Sequence, residues 1–437
     1  MKLKAVLYTG LMILGVGCSN DPSRLEGERE MLDGSVFVEN IGRFIIKNPP
    51  PLALPQPRAN VQWTHQGGNA QHFPGHLELA SDLSLQWSIK IGKGDGRRHQ
   101  ITATPIIQSG RIFTLDSRSL VTALGLDGRI IWQKNVSKKY DDTNDASGGG
   151  LAVQGEQLFV TTGFGTVLAL SVASGEELWT QNLGSYGGSS PTVDNNLIYI
   201  SARDGAAWAI ETENGRIKWQ VVGPAVRSGH VGGPGAAISD KYVLFPFGSG
   251  DVLATFRQGG MRSWSSLLSG ARLGRAWGQV QDITGQPVVE GSVVYLANSA
   301  GRMAAVDLNT GLRMWTAKHG SQGDIFVAGN SIFAVSDESN LIRVSKDDGT
   351  LVWATPLPNF TKNNVNRRAK VFAHYGPILA GGRLVVASSD GKIRRFNPAN
   401  GELISTLKMP LGAASAPIVV DGTLYVLSTN GDLLAFR

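Results

Sequence analysis

Cysteine is almost absent: the 437 residues hold one, Cys18. A lone thiol excludes an intramolecular disulfide and any cysteine-based zinc or iron–sulfur centre. Charge is scarce too, with Asp, Glu, Lys and Arg forming 17% of the chain against ~25% in ordinary globular proteins. The net charge of +6 falls to +4 if Lys2 and Lys4 leave with a leader. So small and dispersed an excess gives no argument for a nucleic-acid partner. Beyond Val16 there is no apolar run long enough to span a bilayer. Glycine, by contrast, is abundant at 55 residues, and 42% of the chain is hydrophobic. That content excludes a disordered polypeptide and is ample for a large core.

Residues 1–17 read as a secretory leader. Lys2 and Lys4 form the basic start, and Ala5 to Val16 is an apolar stretch too short for a comfortable span. Its end, Leu14-Gly15-Val16-Gly17-Cys18, resembles a bacterial lipobox, with Gly15 where that pattern prefers leucine. The resemblance implies diacylation of Cys18 and, with Ser19 following, sorting to the outer membrane. The alternative is an ordinary signal peptide with an incidental cysteine. Residues 18–60 then read as a flexible tether without secondary structure. They are charged around Arg24 to Glu30 and proline-rich at Pro49-Pro50-Pro51, Pro55 and Pro57.

From residue 61 the chain repeats. Gly-x-x-x-Trp occurs at Gly128/Trp132, Gly175/Trp179, Gly215/Trp219, Gly260/Trp264, Gly311/Trp315 and Gly349/Trp353, and Gly401 has Ser405 in the tryptophan place. The glycine spacings of 47, 40, 45, 51, 38 and 52 residues suit a four-stranded propeller blade. Apolar strands such as Ile112-Phe113-Thr114-Leu115 recur eight times, yet the tryptophan strand follows only seven of them. The missing eighth is expected upstream, at Leu83-Ser84-Leu85-Gln86-Trp87-Ser88, pairing with the C-terminal repeat. Residues 61–437 are therefore predicted to form one all-β, eight-bladed β-propeller closed by its N-terminal strand. The repeated tryptophans are expected to pack between adjacent blades. Trp277, in a long inter-blade segment, is a candidate surface anchor.

The phrase Ala305-Val306-Asp307-Leu308-Asn309-Thr310-Gly311, with Trp315, resembles the PQQ-type propeller repeat. Two envelope families carry such repeats: quinoprotein dehydrogenases and the BamB outer membrane protein assembly factors. With its lipobox-like cysteine, size and bare blades, the chain resembles the BamB family. That resemblance implies a non-catalytic lipoprotein on the periplasmic face of the outer membrane, without a cofactor. It would act as a scaffold in the β-barrel assembly (BAM) complex, binding a POTRA domain of BamA and aiding insertion of outer-membrane proteins. Apart from the resemblance, exposed blade edges could take up unfolded outer-membrane protein strands transiently, by strand addition. The alternatives are a quinoprotein-like (PQQ) oxidoreductase and a propeller binding another envelope partner. Against the enzyme, quinoprotein alcohol dehydrogenases press their cofactor on a disulfide between adjacent cysteines, and Cys18 is single.

On this resemblance the partner-binding residues are Val226 and Arg227, in Pro224-Ala225-Val226-Arg227-Ser228-Gly229, and Asp282, in Asp282-Ile283-Thr284-Gly285-Gln286-Pro287. Thr284 stands where the family has a second acidic residue. Both segments are inter-blade connections, so Arg227 and Asp282 are expected in one charged patch; the alternative is that they pair with each other and stiffen their loops. Other clusters carry less. His65, His72 and His76 fit no compact zinc spacing and read as polar surface residues of a loop. The acidic run Asp141 to Asp145 fails as an EF-hand, with Ala146 and Ala152 where Gly and Glu are needed. Gly92 to Arg98 lacks the ending of a P-loop and reads as a flexible inter-blade connection.

Overall fold

Alternating apolar residues bounded by tight turns fold here into eight antiparallel four-stranded sheets, seven of them from consecutive strands, with one extra strand on the sixth. The computed structural model describes residues 43–437, except 139–140, 142–145, 186–187, 203, 227–231, 271, 273–279, 363 and 365–367. No helix occurs among the described residues. Blade 1 is typical: Ile106–Gln108, Arg111–Leu115, Leu120–Gly125 and Ile130–Asn135 lie side by side in chain order. Its middle strands are buried on both sides, whereas the outermost alternates exposed and half-buried residues. Stacking blade on blade produces that difference, since only the rim strand keeps one face in water. Blades 2 to 7 follow over 149–182, 192–222, 237–267, 288–317, 326–356 and 374–408. Blade 8 takes three strands from 418–436, and its fourth is Leu85–Lys90, which pairs antiparallel with Asp432–Phe436. The ring closes as the count of repeats requires.

The repeated motif is a joint between blades. Each of the six tryptophans of the Gly-x-x-x-Trp repeats lies across the next blade and donates its indole N–H there: for example Trp132 to Val172 O at 3.0 Å, Trp179 to Thr212 O at 2.8 Å, Trp264 to Leu308 O at 2.8 Å. Beneath the ring sits the glycine of the following repeat. A Cβ on Gly175 would lie 2.5 Å from the Trp132 ring, and Gly175 has φ +72°. Both the contact and the left-handed backbone demand glycine.

Among the described residues, the joint between blades 7 and 8 lacks both halves of the motif. Blade 7 has Ser405 in place of the tryptophan, and the outer two strands of blade 8 come from opposite ends of the chain, so no turn glycine exists there. Arg395 fills the gap. Its Nε donates to Ser405 Oγ at 2.7 Å, and its guanidinium also donates to the Ser81 carbonyl, which leads into the closing strand.

The expected tether ends earlier than residue 60. Phe44–Ile45 pairs with Trp353 and Ala354 as a fifth strand on the rim of blade 6, and the Arg343 guanidinium holds the Pro50 carbonyl at 3.2 Å. Residues 51–81 then make a circuit of the hub. Asn60 Nδ2 donates to Val419 O of blade 8 at 2.8 Å. Trp63 and Ile107 of blade 1 exchange two backbone bonds of 2.7 Å. Thr64, Ala70 and Gln71 offer carbonyls to Val153, Ile238 and Val289 of blades 2, 4 and 5 at 2.9–3.0 Å. His65 reaches Val193 of blade 3, and Leu77 donates to Leu379 of blade 7 at 3.0 Å. Asn330 of blade 6 donates to Pro51 O at 2.9 Å. The innermost strand of a blade has one backbone edge without a neighbour inside its own sheet, and this strap supplies partners. Proline composition hid the strap, because its partners are all distant in sequence.

The joint predicts a contrast between two glycines of similar φ. Gly155→Ala, at φ +58° with nothing within 4 Å, carries only backbone strain of ~1 kcal/mol. Gly175→Ala adds the collision with Trp132 and should cost at least ~2 kcal/mol more, read as urea unfolding midpoints. Equal losses would show that the ring contact does not select glycine.

Candidate functional site

Antiparallel order puts the hairpins between first and second strands, and between third and fourth, on one face of the ring. The other face carries the connections that lead from blade to blade. The strap lies on the hairpin side, while the connection side opens into a cavity of about 390 Å³ lined by the lead-ins to the innermost strands. Gln66 of the strap lines it, and Ser190 Oγ donates to Gln66 Oε1. Strap and blade lead-in are thus tied together inside the hub.

Val226 and Asp282 meet at the margin of this cavity. A Cβ on Gly248 of blade 4 would lie 2.7 Å from Val226 Cγ2 and 3.4 Å from Asp282 Oδ1. Gly248 is therefore the floor over which two residues 56 positions apart in sequence converge. The approach of Val226 is fixed by Gly223, where a Cβ would stand 2.5 Å from Phe247, and by Gly205, where one would meet the Gly223 carbonyl at 2.5 Å. Asp282 is buried, and its backbone carbonyl accepts from Ser299 N–H at 3.2 Å. Arg227 and Trp277 lie outside the described residues, as do Cys18 and Asp142 to Asp145 of the acidic run.

The segment after Asp282 is clamped inward. Thr284 Oγ1 donates to the Ser321 carbonyl at 2.7 Å, so this residue braces the lead-in of blade 6 instead of presenting a charge. Gln286 N–H donates to Asp324 Oδ1 at 3.0 Å, and Gln286 Oε1 accepts from Gly235 N–H at 2.6 Å. Burial raises the Asp324 carboxyl above its ordinary range, an effect the Gln286 N–H opposes. Arg272 ties two further connections together. Its Nε lies 2.5 Å from buried Asp337 Oδ2 of blade 6, and its Nη2 donates to the Lys318 carbonyl at 3.0 Å. Neither Asp324 nor Arg272 stands in a repeated motif, and each acquires its role only when separate lead-ins meet.

The three histidines are not surface residues: His65, His72 and His76 are all buried in the strap. His65 Nε2 stands 3.0 Å from the Val193 carbonyl and 3.1 Å from its amide N, and Nδ1 is 2.8 Å from Thr64 Oγ1. His72 Nδ1 donates to the Pro287 carbonyl at 2.8 Å. His76 Nδ1 donates to Pro55 O at 2.7 Å, and its Nε2 accepts from Gly382 N–H at 2.9 Å, a neutral tautomer. These side chains are fasteners: they fold two-sided polar contacts into a crowded layer where a loop backbone alone falls short. Burial pulls His65 down to about 3, with His72 adding to the effect, and pulls His72 down to about 4 against its bond to Pro287.

The family model described as outer membrane protein assembly factor BamB matches residues 117–355 and 347–437. The outer membrane protein assembly factor BamB of Shewanella oneidensis is 25% identical over 359 residues, covering 80% of this chain and 87% of that protein. Among solved structures, BamB from Moraxella catarrhalis aligns with TM-score 0.67 at 18% identity, over 82% of this chain and 100% of that one. The quinohemoprotein alcohol dehydrogenase of Comamonas testosteroni aligns with TM-score 0.64 at 15% identity, over 86% and 80%. At such identities the structural likeness speaks for the propeller fold alone.

Both depressed histidines are held neutral in the fold and titrate near 6.5 when unfolded, so the unfolded chain takes up protons first as pH falls. Stability is full above pH ~6.5 and is lost as pH drops from there towards 4 and 3. A His65→Gln, His72→Gln double variant should show a flatter dependence of urea midpoint on pH between 7 and 4.5. An unchanged slope would dissociate these side chains from acid sensitivity.

Proposed function

This chain belongs to the family of outer membrane protein assembly factor BamB, and from that membership we propose that it is a non-catalytic scaffold of the outer-membrane β-barrel assembly complex. In this reading the connection face binds a POTRA domain of BamA, with Val226, Arg227 and Asp282 at the contact. Cys18 carries the lipid that holds the protein at the periplasmic face of the outer membrane, where a multi-chain anchor tethers firmly without a spanning helix. The observation that carries the contact is the convergence of Val226 and Asp282 over Gly248. Residues from two inter-blade connections are held there by a floor that admits no side chain, so a partner meets a preformed surface. Preorganisation limits the entropy lost on docking. Arginine beside an apolar contact suits the centre of such an interface, because its planar fork bonds carboxylates and carbonyls without much rearrangement.

The quinoprotein reading shares with this chain a ring of blades, and a ring hosts many functions. What supports the scaffold over the enzyme is the family model, which extends through most of the blades.

Replacement of Arg227 by Glu, and separately of Asp282 by Asn, should reduce BamA recovered with the tagged lipoprotein from detergent-solubilised envelopes by tenfold or more. Thermal unfolding of the Arg227 variant should stay within about 2 °C. Cys18→Ala should move the protein from the membrane fraction to the soluble periplasm. Undiminished BamA recovery with both contact variants would remove this face from the interface.

A further inference from the structure

Among the described residues, the rim of blade 6 differs from the other rims in one respect: it is already occupied. Phe44–Ile45 pairs antiparallel with it, Phe44 opposite Ala354 and Ile45 opposite Trp353, and Ile46 N–H donates to the Val352 carbonyl at 3.0 Å. Under this added strand Val352 is 0% exposed. The equivalent residue, immediately before the joint tryptophan, is 46% exposed in blade 1 (Ile131), 48% in blade 2 (Leu178) and 58% in blade 5 (Met314). The chain thus demonstrates on itself that a blade rim accepts a fifth strand, and which backbone groups that strand uses. The residue before the tryptophan turns its peptide groups outward, and the tryptophan turns its own inward to the blade.

Blade 1 repeats this template most closely. Its Ile130-Ile131-Trp132 stands residue for residue with Leu351-Val352-Trp353 of blade 6, and both isoleucines are exposed. Blade 7 also exposes two apolar residues, Leu403 and Ile404, but has Ser405 where an incoming side chain would meet the ring. Beside the blade 1 rim lies a groove of about 450 Å³ shared with blade 2, lined by Lys134, Val136, Leu168 and Thr180 among others. A strand added to Ile130–Asn135 would send alternate side chains towards that groove and the rest across Ile131.

Building on the scaffold reading above, we propose that the rim strand Ile130–Asn135 of blade 1 is a docking site for one extended strand of an unfolded outer-membrane β-barrel client. The recognised chemistry is that of Phe44–Ile46: three consecutive apolar residues, aromatic or β-branched, in an extended backbone with free N–H groups and no proline. Backbone bonds supply sequence-tolerant affinity, and the aliphatic residue facing Trp132 supplies the preference. Blade 6 is shut to clients because the chain's own strand holds it.

The probe is a fluorescent peptide of residues 41–48 added in trans to the full chain, where blade 6 is already filled. Saturable binding by anisotropy is expected, and N-methylation of the residue corresponding to Ile46 should abolish it without any change to the protein. Ile131→Pro removes one outward N–H at a rim position that tolerates proline; it should weaken binding tenfold or more, while Ile404→Pro on blade 7 leaves it within twofold. No saturable binding, binding indifferent to N-methylation, or equal effects of the two proline variants would overturn the proposal. Sedimentation of the unliganded chain as a dimer that Ile131→Pro dissolves would overturn it in favour of a second copy as occupant. Should Ile131→Pro lower the melting temperature markedly, the N-methyl peptide on the wild-type chain decides alone. Recovery of BamA depends on the connection face, so its retention in Ile131→Pro separates failure of this site from failure of the scaffold reading.

Discussion

The thickness of an indole ring sets the spacing of this molecule. At six joints a glycine Cα lies against the tryptophan of the preceding blade so closely that a Cβ would come within 2.5–2.7 Å of the ring. Blades cannot draw nearer, and the indole N–H bond to the next blade keeps them from drifting apart. Repeating one such contact around a circle fixes angle as well as distance, so the ring must close on itself with little freedom. Where the chain termini interrupt the pattern, Arg395 takes over with charged hydrogen bonds to Ser405 and Ser81. A guanidinium carries several donors where an indole carries one, so Arg395 ties both Ser405 and the lead-in to the closing strand at a joint without a turn glycine.

Sequence periodicity made the outer architecture readable because each blade repeats the same local solution. Eight strand repeats against seven tryptophan strands required an upstream partner, and Leu85–Lys90 is that partner. The tryptophans also sit between blades as their shared position implied. The strap was opaque for the opposite reason. Trp63, His65 and Leu77 each meet a different blade, so no spacing in the chain announces their contacts, and histidines in a glycine- and proline-rich stretch resemble a surface loop until eight strand edges surround them. Arg395 and Arg343 were equally silent, since one buried arginine within a strand carries no periodic signature. Of the candidate contact residues, Val226 and Asp282 were placed by family likeness, but their meeting over Gly248 depends on where blade 4 stands between them.

These features divide the surface into three regions with different physical character. On the hairpin side, the strap satisfies the inner strand edges and seals them with buried neutral histidines. On the connection side, lead-ins clamped by Thr284, Gln286, Asp324 and Arg272 form a stiff collar around a blind hub. Along the rim, half-exposed strands have no further strand paired to them among the described residues, except where Phe44–Ile45 covers blade 6. The scaffold function proposed above would use such a division: one face for a constant partner and another surface for transient ones, so that binding at either would not obstruct the other.

Hydrogen–deuterium exchange of the full chain, with and without the soluble periplasmic domain of BamA, tests the central claim most directly. The account predicts slowed exchange at the connection face, in peptides spanning 223–226 and 280–286, with the strap at 60–77 and the rim strand at 130–135 unchanged. Protection confined to the strap or the rim, or no protection at any segment at saturating partner, would contradict it.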